Sequence, residues 1–281
     1  MLRFFEYPYF VSYIYMLAEI LNNMKHLFSI LIFIVGLFLN SQAQSDSLTS
    51  LLAKLNSKTI TDGERKILKK MAFDVQNRGQ LLDESSHDYK GALLLTDSAI
   101  NIFNSLKDTL NEANNRKFKG YLLGRFGKFQ EGKSEIQQAI NLFQLKNTLW
   151  GVAVSQFDLA RLFEFENKLD SALYYCNISI SYWKENANTA RVFINQNMLI
   201  NLLTKTNDLT KAKTIQNESN KIIEAEKPYW QGLLDFYIVS ENLYKAAKEF
   251  KTANNYRNLY SKLITELSST GLAARSYFTE K

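Results

Sequence analysis

A repeat constrains this chain more than any other feature. A small residue recurs at Ala92, Gly132, Ala172, Ala212 and Ala253, at intervals of 40, 40, 40 and 41 residues. Three positions before each stands a large apolar residue: Tyr89, Phe129, Leu169, Leu209 and Phe250. Seven positions after each come Ala99, Ala139, Ser179, Ser219 and Tyr260, of which only the last is large. Residues at i, i+4 and i+7 share one helical face, and two helix axes approach closely only where that face is small. Coupled registers held over five copies describe a solenoid, whose units bury their apolar faces only by stacking.

The stretch Gly120–Leu142, GYLLGRFGKFQEGKSEIQQAINL, shows the unit. It predicts two amphipathic helices joined by a tight turn near Gly127. Gly120 and Leu123 face the partner helix from the first segment; Gly132, Ile136 and Ala139 do so from the second. Ala160 takes the place of Gly120 in the following copy, whereas Gln80, Ile200 and Glu241 fall there in the others. Short polar joints at 106–109, 145–148, 185–189 and 224–228 separate the copies and leave one continuous domain. Only Pro8 and Pro228 could interrupt a helix.

The segment LARLFEFENKLDSALYYCNISI (Leu159–Ile180) resembles the tetratricopeptide repeat, a helix–turn–helix unit of about 34 residues. Leu159, Ala160, Phe163, Leu169, Ala172 and Ser179 fall where that family places its large and small packing residues. The resemblance implies an all-α, right-handed α-solenoid of about five hairpins over 72–267; the residues before it (44–71) read as an N-terminal helical cap, and those after it (268–281) as a tail or a last cap. The longer period is similar to a variant whose second helix runs on by a turn. It is also similar to the extracytoplasmic repeat regions of bacterial sensor histidine kinases and regulators, where a membrane helix and an effector follow.

In tetratricopeptide arrays the first helices line a concave surface that holds extended peptides or partner helices. Carried over by register, this implies a groove of Asn114, Lys117, Tyr121 and Arg125 in the second copy. The third copy supplies Phe157, Arg161 and Glu164, the fourth Asn197, Asn201 and Lys205, and the fifth Asn242 and Lys245. Such cations and amides suit an extended, somewhat acidic peptide, since Asn bonds a backbone and Arg forks onto a carboxylate. The carboxylate clamp of chaperone-binding members needs Lys and Asn one turn apart; Lys117 is present, but Tyr121 holds the Asn place.

Little else carries chemistry. The single cysteine, Cys176, lies in register with Ile136 and reads as a small core residue. His26 and His87 are the only histidines, so no His/Cys metal site is expected, and no cofactor. His87 reads as a surface or capping residue beside Asp88. The glycines at 120, 124 and 127 lie within a helical hairpin and not after a strand, so they do not read as a phosphate loop. Glu164 and Glu166, two apart on a helix, diverge and cannot share acid–base work. The expected function is therefore non-catalytic binding; an α-solenoid enzyme is the weaker reading, because no segment remains for a catalytic domain.

A net charge of +6 without a dense Lys/Arg run argues against a nucleic-acid surface. Met24–Ala43 has a basic start, a 13-residue apolar run (Leu27–Leu39) and Ser41-Gln42-Ala43, the pattern of a cleaved secretory signal. An exported, periplasmic or envelope protein is expected, touching membrane only through that segment. Residues 1–23 read as a leader upstream of a start at Met24, with a retained, membrane-associated N-terminal segment as the alternative. The partner is expected to be a protein or peptide, in an envelope scaffold or in the sensory input of a signalling system.

Overall fold

The computed structural model describes residues 50, 51, 53–55, 57–81, 88–226 and 228–270. The leader and signal expectations, His87, and the end of the tail lie outside the described residues. Contacts divide the chain into units 1–68 and 69–281, with the boundary inside the first long helix.

Among the described residues, ten helices follow helical residues at 50, 51 and 53–55. They are α1 (Asp62–Leu81), α2 (Tyr89–Ser105), α3 (Thr109–Arg125), α4 (Phe129–Leu145) and α5 (Leu149–Phe165), then α6 (Leu169–Glu185), α7 (Thr189–Lys205), α8 (Leu209–Glu226), α9 (Trp230–Ala246) and α10 (Phe250–Thr270). The second helices of the hairpins begin at 89, 129, 169, 209 and 250, on the large apolar residues of the repeat.

In the first unit, Thr61 and Glu64 form the capping box their spacing predicts. The Thr61 backbone N–H donates to Glu64 Oε2 at 2.9 Å, and the Glu64 N–H donates to Thr61 Oγ1 at 3.3 Å. Lys54 also donates to Glu64, and its bond, with the Thr61 bonds behind it, holds that carboxyl down at about 2.

In the second unit, α2 to α7 are each 17 residues long and joined by three residues. The joints share one chemistry. Lys107, at φ 59°, donates its N–H to Asn104 O at 2.9 Å, and the Asp108 N–H donates to Phe103 O at 2.9 Å. This pair of bonds is the Schellman closure, which satisfies the orphan carbonyls of a helix end. It recurs around Gly127, Asn147, Asn167, Ala187, Asn207 and Lys248, all at positive φ. The residue after each left-handed position opens the next helix; Asn188, for example, accepts the Arg191 N–H at 3.0 Å. The α8–α9 joint differs, since it holds Pro228, and Tyr229 is extended at φ −58°, ψ 143°.

Packing follows the small-residue register. Ala92, Ala139, Ala160, Ala172 and Ala212 are fully buried, as is Ala253, while Gly120 and Gly132 are buried with them. Phe103, Phe143, Phe193 and Phe236 are fully buried; Phe143 packs on Gly151 and Phe193 on Gly232 and Phe236 between repeats, and Phe103 on Phe73 within the first hairpin. One expectation is corrected. Gln80 is exposed, and Gly79 takes the small position instead, with its Cβ direction 3.4 Å from Ala92 O. Seven residues separate α1 from α2, against three elsewhere, so the register of this hairpin slips by one.

Candidate binding face on the first helices

On α9 the exposed residues Gln231, Asp235, Ile238, Asn242 and Lys245 recur at the spacing of one helical face. Phe236, Ser240 and Leu243, on the other side, are fully buried. The same register gives Ala190, Ile194, Asn197, Asn201 and Lys205 on α7, and Trp150, Val154, Phe157, Arg161 and Glu164 on α5. On α3 it gives Leu110, Asn114, Lys117, Tyr121 and Arg125. The expected groove residues therefore fall on four stripes in one register. Ile194 and Asp235, at the position of Asn114, and Ile238, at the position of Lys117, belong to the same face and were missed by sequence reasoning. Their signal was present, since extending the same 3–4 spacing toward each N-terminus reaches them.

Most of the expected residues bond one stripe to the next. Lys117 Nζ lies 3.6 Å from Asp158 Oδ2, and Arg161 approaches Asp158 Oδ1 at 3.4 Å. The Arg161 guanidinium also stands 3.9 Å from the Tyr121 ring centre, a cation–π contact between α5 and α3. Arg125 lies 5.0 Å from the Tyr89 ring and 5.6 Å from the Phe165 ring, and donates to the Tyr89 hydroxyl. Glu164 Oε1 accepts from Asn201 Nδ2 at 2.6 Å and pairs with Lys205 Nζ at 2.7 Å. In the last hairpin, Lys245 and Arg257 both pair with Glu241, and the Lys245 bond leads in holding that carboxyl below its usual range. Each such pair contributes roughly 0–1 kcal/mol where solvent reaches it. As a ladder they fix one first helix against its neighbour.

Asn197 needs a correction. It is 4 % exposed, and its Nδ2 donates to Gly232 O at 2.9 Å, so it joins α7 to α9 and is not displayed on the face. Phe157 is half-buried and packs against the main core. Asn114 is half-buried and Asn242 exposed.

Asp235 stands apart. Its side chain is exposed, yet protein around it removes water on other sides, so desolvation pushes its carboxyl up while the charge of Arg161 on α5 pulls it down. No hydrogen bond or ion pair reaches it among the described residues; Arg161 acts on it by charge alone.

The opposite side of the repeats carries a cavity of about 340 Å³ between α6 and α8. Leu173, Leu199, Leu203 and Ile215 line it, with Asn177, Lys211 and Thr214 at its polar edge. Cys176 lies fully buried, its Sγ 3.5 Å from Asn195 O; burial, then the charge of Glu164, pushes the thiol up to about 12. A thiol so held is not a nucleophile at neutral pH. Among the described residues no cluster could hold a metal ion, and no helix is long and apolar enough to cross a membrane.

No family model and no curated protein matches the chain. Solved structures do. BtubC (BKLC) from P. vanneervenii matches with a TM-score of 0.60 and 16% identity, over 81% of this chain and 92% of that one. Two crystal structures of the TPR-like repeats of a putative kinesin light chain from Podosopora anserina match with TM-scores of 0.53 and 0.51. Both are 12% identical; the alignments cover 73% and 72% of this chain, and 96% and 95% of theirs. The fold is an all-α, tetratricopeptide-like solenoid. At such identities the likeness is one of fold, and the ladder and Asp235 are read from this chain alone.

Proposed function

We propose that this chain is a non-catalytic binding module that holds a protein or extended peptide against its first-helix stripes. One observation carries the reading. Ile194 and Ile238, 38% and 42% exposed, present apolar surface on the first helices beside polar groups, on the face that the repeat fold leaves uncovered. The fold supports it, because solenoid repeats supply extended binding surfaces. Export is part of the proposal and rests on the signal-like segment Met24–Ala43; the module then works in the periplasm or envelope as a scaffold or adaptor. The sensory-input role is the second reading, supported by the 40-residue helix spacing together with that signal.

The test is a photo-crosslinking residue at Ile238 or, as a control, at Gln138 on the exposed side of α4. Crosslinks to a partner in cells from position 238 and none from 138 are expected. The reverse pattern would move binding to the second helices and refute the assignment of the face. Fractionation of the same cells tests export: a mature chain beginning at Gln44 is expected outside the cytoplasm.

A further inference from the structure

We propose that the groove selects a partner segment carrying a lysine or arginine, which Asp235 receives while Ile194 and Ile238 cover the apolar stem of that side chain. The inference rests on the binding face proposed above and specifies its ligand. Complementarity of charge carries it. The cations of the four stripes are already engaged: Lys117 and Arg161 on Asp158, Lys205 on Glu164, Lys245 on Glu241, and Arg125 between two aromatic rings. An acidic partner would have to break these pairs before it gained its own. Of the two stripe carboxylates, Glu164 accepts from Asn201 and Lys205, whereas Asp235 accepts from no group among the described residues.

The surroundings of Asp235 fit a long cationic side chain. Ile238 follows it by three residues on the same face of α9, and Ile194 holds on α7 the register position that Asp235 holds on α9. The bond from Asn197 to Gly232 O, and Phe193 lying 3.1 Å from the Cβ direction of Gly232, dock α7 against α9 just before Asp235. Lys and Arg bury their methylene stems on apolar surface while the charged end keeps a polar partner. Two exposed isoleucines and a carboxylate that accepts no hydrogen bond among the described residues, with only the charge of Arg161 acting on it, supply both halves of that contact. The chain's net charge of +6 opposes a cationic partner only at long range, since charges more than about 8 Å away are screened at physiological salt.

The test selects short random peptides on the full-length protein, then measures binding of the retained peptides by fluorescence anisotropy at physiological salt. A shared Lys or Arg is expected among them, and replacing it with norleucine should weaken binding about tenfold. Asp235→Asn should weaken the parent peptide by the same factor and leave the norleucine peptide unchanged, so that the two losses do not add. Asp235→Lys should redirect selection toward Glu and Asp. Both variants should melt like the parent, because the residue is exposed. Retained peptides without a shared cation, or equal binding by Asp235→Asn, would overturn the inference and leave the binding face standing. Failure to retain any peptide would overturn both.

Discussion

Gly120 and Gly132 face each other so closely that a Cβ on either would stand 2.7 Å from the other's carbonyl oxygen. The two helices of the second hairpin meet there backbone to backbone, and a Cβ at Gly120 would meet both a carbonyl that cannot rotate away and Ile136 Cγ1 at 2.5 Å. Gly120→Ala should therefore cost about 1–3 kcal/mol by forcing the helices apart. Gly127→Ala is the matched comparison, with φ +75° and nothing within 4 Å; left-handed strain alone should cost it about 1–2 kcal/mol. Chemical denaturation of both decides the matter. A Gly120→Ala protein as stable as the parent would rule out the close approach.

The joints predict a gain. Ala187 sits at φ 51° in the same Schellman closure that Gly127 forms, and it carries a Cβ there. Ala187→Gly removes that clash but adds freedom to the unfolded chain, so the net gain should be about 0.5–1 kcal/mol. Thermal unfolding checks it, with Asn147→Gly expected to gain less because Asn tolerates this conformation.

Acid should loosen the start of α1 over a defined range. The Glu64 carboxyl is held down at about 2 by Lys54, then by Thr61. A depressed folded-state value means the stabilisation is full above the unfolded carboxyl range and is lost as pH falls through the folded value, from about 4.5 toward 2. Amide exchange in the first turn of α1 should accelerate across that window. In Glu64→Gln the turn should exchange faster at neutral pH and show little further change; an unaltered acid response would show that another group is responsible.

Cys176 offers a probe of the third hairpin. Its thiol is fully buried and pushed up to about 12, first by desolvation. Thiol reagents should label it only as fast as the protein opens, with a rate that tracks denaturant stability. Rapid labelling of the folded chain at neutral pH would contradict this burial.

Much of the fold was legible in the sequence, and particular residues show why. The small residues from Ala92 to Ala253 lie on the closely packed helix faces because a 3.6-residue period reports which side of a helix must be thin. Thr61 and Glu64 were legible as a cap because their bonds span three residues. Gly79 was not, since register was carried across a joint whose length differs from the rest. Nor did the sequence show the left-handed residues of the joints, because Lys107, Ala187 and Lys248 lack the glycine that marks such positions.

The binding face divides in the same way. Sequence by itself determined the helical repeat and which face of each first helix lies opposite the packed one, because both depend on local periodicity. Tertiary structure decided what that face offers. Lys205 meets Glu164 41 residues away, Lys117 meets Asp158 across a hairpin, and Asn197 disappears into the α7–α9 contact. No local pattern records such pairings, because charges compensate through space only once neighbouring helices are docked. Asp235 stayed exposed and without a hydrogen bond among the described residues after docking, at a position the helical spacing reaches only when carried toward the N-terminus of α9.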